Sequence, residues 1–470
     1  MSVDLRQQIE EFYLPRQLVN AILEFGGIPE DSEEAEVGVG FIDIVDYTFL
    51  SKFLTPKENQ EVLNGLYTAF NSVLRRHGGY LNKIEGDSLM FQYGGIIDAK
   101  ARTVTDDVAL RSYIARELFF TCVEMQRVAV LFNNADSRFL GDAATREDRE
   151  ALQRAFAIIK RLRSDDAVAN PLSAMFQVRI RVGANLGEVQ IGNFGPEGAR
   201  QWDVIGMPVI DAKRMEATAP VGGLRISRAY YDVLVQNGIA DEYYERFRRE
   251  ARALGSRYAG IERDELFLLK QVVVREKSNA YYETCSIQVN PSLPEQIAGQ
   301  ARALVSHGRY GADRIVDLIK YYRGNRYVID AIEDELTALG VQLRRSEAYE
   351  LMYPKRYATE MQRVANDKDA LESELSERFT LYDLLEKLGR YQDVIGQSQA
   401  VGTGIVPYSS YPDYVSSVRE ERLRHYEAVK TATAQRAYFH NVVFPLVFAS
   451  ICAAVLEHQV STESLEVLQA

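Results

Sequence analysis

Phe41-Ile42-Asp43-Ile44-Val45-Asp46-Tyr47-Thr48 decides how this 470-residue chain is read. The run into it, Val37-Gly38-Val39-Gly40-Phe41, alternates, and period-two alternation of β-branched and aromatic residues is a strand signal. Val37, Val39 and Phe41 fall on one face, and Asp43 ends that face. A carboxylate at the end of an apolar row is costly unless it is paired, hydrogen-bonded or bound to a cation. Further along, Tyr80-Leu81-Asn82-Lys83-Ile84 predicts a second strand, Glu85-Gly86-Asp87 a turn, and 88–93 the return strand, with Asp87 at the tip. Two acidic strand ends that neighbour each other can share a divalent cation through oxygen ligands. Taken singly, Asp43 also reads as a cap or turn carboxylate and Asp87 as an ordinary Gly-Asp hairpin residue.

Charged residues make up 26% of the chain and hydrophobic residues 46%, a soluble globular mixture. The net charge of −12 argues against a nucleic-acid partner, which selects a basic surface. Cys122, Cys285 and Cys452 lie far apart, with no metal spacing and no disulfide framework, which fits a reducing cytoplasm. The N-terminus is polar and has no apolar signal-peptide core. The mostly apolar run 442–456 falls short of a spanning helix and is expected as a buried C-terminal helix, with weak membrane association as its alternative.

Residues 4–25 show helical periodicity broken at Pro15 and closed by Gly26-Gly27. Thr55-Pro56-Lys57-Glu58 opens a helix with a capping box, its apolar stripe running through Val62, Leu66, Phe70 and Val73 to a Gly78-Gly79 stop. The segment 96–172 predicts two helices, over 106–133 and 145–163. Strands follow over 177–182 and 187–194, then a hairpin return to Val204, a helix over 206–219, a strand over 223–226, a helix over 227–236 and a closing strand over 266–274. Beyond 276 helical patterns dominate, over 294–307, 311–322, 327–339 and 346–385, with a faint helical-repeat turn at Leu388-Gly389-Arg390-Tyr391 and a loop at 407–412.

In this order the motifs resemble those of the class III nucleotidyl cyclases. Phe41 to Thr48 is similar to that family's F-x-D-I-x-x-[YF]-T strand end. Gly78 to Asp87 is similar to its G-G-x-x-x-K-x-x-G-D, Arg181-Val182-Gly183-Ala184-Asn185-Leu186-Gly187-Glu188-Val189 to its R-I-G-I-H-x-G-E-V, and Trp202-Asp203-Val204-Ile205-Gly206 to its Y-x-V-I-G. The resemblance implies an α+β, ferredoxin-like βαββαβ catalytic domain over 29–275, with a helical insert at about 96–172. A helical lead-in (1–28) and an α-helical accessory domain (276–470) that recruits an unknown regulator complete the expected organisation.

It further implies conversion of a nucleoside triphosphate, ATP first, to its 3′,5′-cyclic monophosphate and pyrophosphate, with two Mg²⁺ or Mn²⁺ ions per site. Asp43, Asp87 and the main chain of Ile44 would hold the metal, and Ile44, Tyr47 and Thr48 would line the phosphates. Lys83 and Asp203 would read the base, and Arg214, eight residues after Gly206, would bind phosphate. An ammonium and a carboxylate complement the acceptor–donor edge of adenine. They oppose guanine, but cytosine shows the same order, so a CTP or UTP cyclase remains open. The resemblance also implies a homodimer in which Asp43 and Asp87 of one protomer face Lys83, Asp203 and Arg214 of the other. Two departures are evident. The helix position where the family has a ribose-orienting Asn holds Ile210, and the family's second phosphate-binding lysine has no counterpart, Ala259-Gly260 standing there with Arg257 and Arg263 nearby. These departures favour a catalytically weak nucleotide-binding homologue as the third reading.

Overall fold

The computed structural model describes residues 15–469 apart from 28–30, 46, 48–50, 53, 142–143, 165–177, 198–199, 275–279, 353 and 387–442. The chain divides into two compact units. The first comprises Met1–Ala253, Ala259–Val272 and Tyr282–Pro291, the second Leu254–Tyr258, Val273–Tyr281 and Ser292–Ala470.

The first unit is built on one eight-stranded sheet with the order β2-β3-β1-β4-β6-β8-β7, β5 pairing with β4. The strands are β1 (Glu33–Val45), β2 (Tyr80–Glu85), β3 (Ser88–Gly94), β4 (Arg179–Phe194), β5 (Gln201–Ile205), β6 (Leu224–Ser227), β7 (Phe267–Val274) and β8 (Ala280–Ile287). β1 is central and antiparallel to both β3 and β4. Helix α1 (Arg16–Phe25) precedes it, starting after Pro15 and ending at Gly26, whose φ of 83° is left-handed. α2 (Pro56–His77) connects β1 to β2, and α3 (Asp107–Asn133) and α4 (Arg146–Ser164) lie between β3 and β4. The β1-α2-β2-β3-α3-β4 path gives the ferredoxin-like arrangement that the sequence implied. α2 starts as read: Thr55 accepts from the Glu58 amide while Glu58 accepts from the Thr55 amide, and Gly78 closes the helix at φ 76°.

α5 (Met207–Thr218) lies against β4, and one glycine makes that possible. A Cβ on Gly183 would sit 1.9 Å from the Glu216 nitrogen, so any other residue there would push α5 off the sheet. α6 (Arg228–Gln236), capped by Ser227, and α7 (Ile239–Ala253) follow in the same unit.

Three expectations are corrected. The strands over 177–182 and 187–194 are one strand, β4, because β1 pairs along its whole length from Glu33↔Ile191 to Val45↔Arg179. β8 was not foreseen. Its buried residues include Thr284 and Ser286 besides Cys285 and Ile287, so apolar alternation does not mark it. The single helix over 346–385 is divided into α11 (Arg345–Met352), α12 (Pro354–Arg363) and α13 (Lys368–Arg378), which follow α8 (Leu293–Leu304), α9 (Gly308–Tyr322) and α10 (Arg326–Ala338). Ala365 and Asn366 take left-handed φ of 54° and 62°, and Asp367 caps α13, which ends any continuous helix there.

The apolar run near the C-terminus is also longer than read. α14 (Phe444–Gln469) contains a 19-residue window, Phe444–Thr462, long and apolar enough to cross a membrane by length and composition. Phe444, Val447, Phe448, Ile451, Cys452 and Val455 on it are buried, and Lys320 of α9 stands 5.0 Å from the Phe448 ring centroid. The faint turn at Leu388–Tyr391 and the loop at 407–412 lie outside the described residues.

At the C-terminal end of α2, His77 bridges to α3 through Glu117 at 2.8 Å and Glu124 at 3.3 Å. Burial of the ring works against its charge, but the two carboxylate hydrogen bonds and charges outweigh it and raise the pKa to about 9. The folded value lies above the unfolded one. The stabilisation is therefore complete below about pH 6.5 and is lost as pH rises through about 9. His77→Gln should cost about 1–3 kcal/mol in urea unfolding at pH 7, and the difference from wild type should vanish by about pH 10. A pH-independent difference would show that packing, not charge, holds this joint.

Candidate active site

Asp43 lies two residues before the end of β1, between Ser88 of β3 and Arg181 of β4 in register. Its carboxylate accepts from Arg181 at 3.4 Å. Burial first, then the charge of Asp87, raises the Asp43 pKa, against the opposing charges of Arg181 and Lys213. Because Asp43 is in register with Ser88, the residue after Asp87, the two carboxylates share one end of the sheet, and each disfavours the charge of the other. Asp87 occupies the tight turn with Gly86, whose φ of 63° is left-handed. The carbonyl of Gly86 accepts from the hydroxyl of Tyr67 on α2, which clamps the turn. The Tyr67 hydroxyl is pushed up to about 12, by burial above all and then by Tyr47 and Asp87.

Ile44 is buried in β1 beside this pair. Tyr47 donates to Asn59 Oδ1 at 2.5 Å and its carbonyl accepts from Ser51 at 2.9 Å, so its ring is fixed against the start of α2. Asp46 and Thr48 lie outside the described residues.

Lys83 and Asp203 meet although 120 positions separate them, Nζ to Oδ2 at 2.8 Å. Lys83 follows the irregularity in β2 between Leu81 and Lys83, and Asp203 stands opposite Gly192 on β5. Trp202 beside it is buried with Val37, Phe41, Tyr80 and Met90, which anchors β5. Arg214 is 15% exposed along its side chain. It donates to Asp211 Oδ1 at 3.1 Å and to the Tyr282 hydroxyl, and its guanidinium stacks 4.9 Å from the Tyr282 ring centroid. Asp211 and Arg214 pair as i,i+3 neighbours on the helix. Ile210, one turn earlier, is 47% exposed. Arg257 is paired with Asp334 at 2.7 Å and Arg263 with Asp241, so both serve ion pairs of their own.

Two residues went unread. Lys213 Nζ donates to Ser88 Oγ at 3.1 Å, and Ser88 Oγ in turn donates to the Ile42 carbonyl at 3.1 Å. No motif in the sequence marks either.

The donor set suits a hard divalent cation: two repelling carboxylates and main-chain oxygens at a strand end. Among the described residues no group of three or more His, Cys, Asp or Glu converges as a closed cage. A cation held here would complete its shell with water and substrate oxygens.

Residues 30–259 match the family model described as the adenylate and guanylate cyclase catalytic domain. That segment belongs to the class III nucleotidyl cyclases. Guanylyl cyclase C of Sus scrofa is 34% identical over 91 residues, which is 19% of this chain and 8% of that protein. The chain thus spans under a tenth of the length of the curated relatives it matches. Similar solved structures are the guanylyl cyclase Cya2, at 19% identity with 55% of this chain and 95% of that one covered and a TM-score of 0.34, and the adenylyl cyclase CyaB from P. aeruginosa, at 15% identity with 55% and 95% covered and a TM-score of 0.34. In this cyclase domain the strand-end acids, the Lys83–Asp203 contact and the α5 arginine all lie within the matched segment.

Proposed function

We propose that the cyclase domain converts ATP to cyclic AMP and pyrophosphate. The observation that carries this is the Lys83–Asp203 contact at 2.8 Å, which sets a donor beside an acceptor for the adenine N1 and N6 edge. Guanine inverts that pattern and would leave both groups mismatched, at about 1–3 kcal/mol for each unsatisfied partner. The ribose 3′-oxygen attacks the α-phosphorus in line and pyrophosphate leaves, so the protein's share is positioning and charge neutralisation. Asp43, Asp87 and the Ile44 carbonyl would hold Mg²⁺ or Mn²⁺, which would supply Lewis acidity to the phosphate oxygens. Tyr47 and the neighbouring main chain line the phosphates. Arg214 binds them through its planar fork after exchanging Asp211 and Tyr282 for substrate. Two protomers share each site, one giving Asp43 and Asp87 and the other Lys83, Asp203 and Arg214. Regulation falls to the helices from Ser292 onward, which form the main part of the second unit.

A second reading is a nucleotide-binding homologue with weak catalysis. Ile210 favours it, since its exposed side chain offers no hydrogen bond where the family's Asn orients the ribose. Purified protein incubated with ATP, GTP, CTP or UTP and Mn²⁺ decides between the readings when cyclic products are identified by mass, with Asp87→Ala as blank. Cyclic AMP alone is expected. Cyclic CMP or UMP would move the assignment to a pyrimidine cyclase, and cyclic GMP would overturn the polarity argument. Nucleotide binding with no product would establish the second reading.

A further inference from the structure

Lys213 is the cation that the site's chemistry leaves unexplained. It projects from α5, the helix that Gly183 allows to lie against β4. Its ammonium stands 5.3 Å from the ring centroid of Phe41 and 3.1 Å from Ser88 Oγ. Ser88 is in register with Asp43 and hydrogen-bonds the Ile42 carbonyl, and Asp87 precedes it in the chain. The ammonium therefore lies against the Phe41 ring and Ser88, on the same protomer as the two acids. Glu216, 3% exposed at its side chain, fixes it from the other side at 2.9 Å. Arg181 adds a second positive charge at 3.4 Å from Asp43, and its Nε is buried without a hydrogen-bond partner.

We propose that Lys213 is a built-in cation of the carboxylate site, competing with a bare divalent ion for Asp43 and Asp87, so that metal binds tightly only when it arrives on a triphosphate. This rests on the reading of Asp43 and Asp87 as the ligand pair. A fixed positive charge near Asp43 offsets its repulsion with Asp87 and raises the electrostatic cost of bringing in a free dication. A metal–triphosphate complex carries net negative charge. The same ammonium attracts it, so Lys213 orders the events, with metal and nucleotide entering together. Lys213 also stands where it can neutralise phosphate charge, the task left open by the missing family lysine.

The test is Mn²⁺ binding to nucleotide-free full-length protein, with free Mn²⁺ counted by electron paramagnetic resonance. Lys213→Met should bind Mn²⁺ about tenfold more tightly than wild type, and Lys213→Arg, which keeps the charge, should stay near wild type. Lys213→Met frees Glu216, so Lys213→Met/Glu216→Gln must show the same gain. If it does not, the liberated glutamate caused the tightening and the proposal is overturned. Thermal melts without metal establish that each variant is folded. In the Lys213→Met background, adding Asp87→Asn should abolish the tight binding. Unchanged affinity in Lys213→Met, with Asp87→Asn still lowering it, would overturn the Lys213 proposal and leave the ligand pair standing. Binding indifferent to Asp87→Asn in both backgrounds would overturn the ligand pair itself.

Discussion

Asp87→Ala should lower cyclic nucleotide formation by about 10³-fold or more while leaving the protein folded, because it removes half of the carboxylate charge that holds the cation at the reacting phosphate. Asp87 lies in a two-residue turn outside the apolar core, and the turn keeps its other fixings, the Tyr67 hydrogen bond to Gly86 and the β2–β3 ladder. The change should therefore move activity far more than stability. The loss should fall on kcat, since base contacts through Lys83 and Asp203 remain. Asp43→Ala should behave alike, with one addition: Arg181 then loses its carboxylate partner, so some loss of stability accompanies it. Shared sites give this prediction a second arm. Equal amounts of Asp43→Ala and Arg214→Ala protein, each nearly silent, should reassociate so that half the dimers carry one intact site, restoring about a quarter of wild-type activity. Recovery no greater than either single variant would show that each protomer works alone, and the two-protomer site would have to be abandoned.

The parts of this site that could be read in sequence are those in which local pattern and chemistry coincide. β1 announces itself through Val37, Val39 and Phe41 because a central strand must present apolar residues, and Asp43 is conspicuous as the acid that ends the row. The β2–β3 turn is a local event, so Gly86 and Asp87 were readable from their neighbours alone. Lys83 and Asp203 were another matter. They are far apart in sequence, and only the resemblance joined them before the structure set them 2.8 Å apart. Lys213 and Ser88 were not readable at all. A lysine on a helix normally reads as solvated, and what brings this one to the acids is the close approach of α5 at Gly183, a packing fact with no local signature. The Tyr282–Arg214 contact is hidden for a similar reason. β8 lacks apolar alternation, so the strand that supplies Tyr282 was invisible until the sheet was seen. Long helical patterns misled in the opposite direction: 346–385 reads as one helix, yet Pro354 opens a new one, Ala365 and Asn366 leave the helical region and Asp367 caps the next.

Ile210→Asn should raise kcat by about 10²-fold with little change in KM. Ile210 occupies the α5 position one turn before Arg214, where the class III family uses an amide to orient the ribose and steady the transition state. A missing preorganised donor of this kind costs about 10²–10³ in rate. Restoring it is mechanically undemanding, because Ile210 is 47% exposed and its replacement opens no cavity. The helix should tolerate the amide, since Asn is a slightly weaker helix former than Ile and the effect at one exposed site is within about 0.5 kcal/mol. The gain belongs to kcat because the amide would act on geometry at the reacting centre, whereas adenine recognition stays with Lys83 and Asp203. Single-turnover measurement with ATP and Mn²⁺ separates the chemical step from product release. A rise confined to that step would show that the active-site frame is intact and lacks only a donor. An unchanged rate in folded Ile210→Asn protein would mean that this slot is not where the ribose is held. The exposed isoleucine would then be irrelevant to activity, and the case for a weakened enzyme would lose its main support.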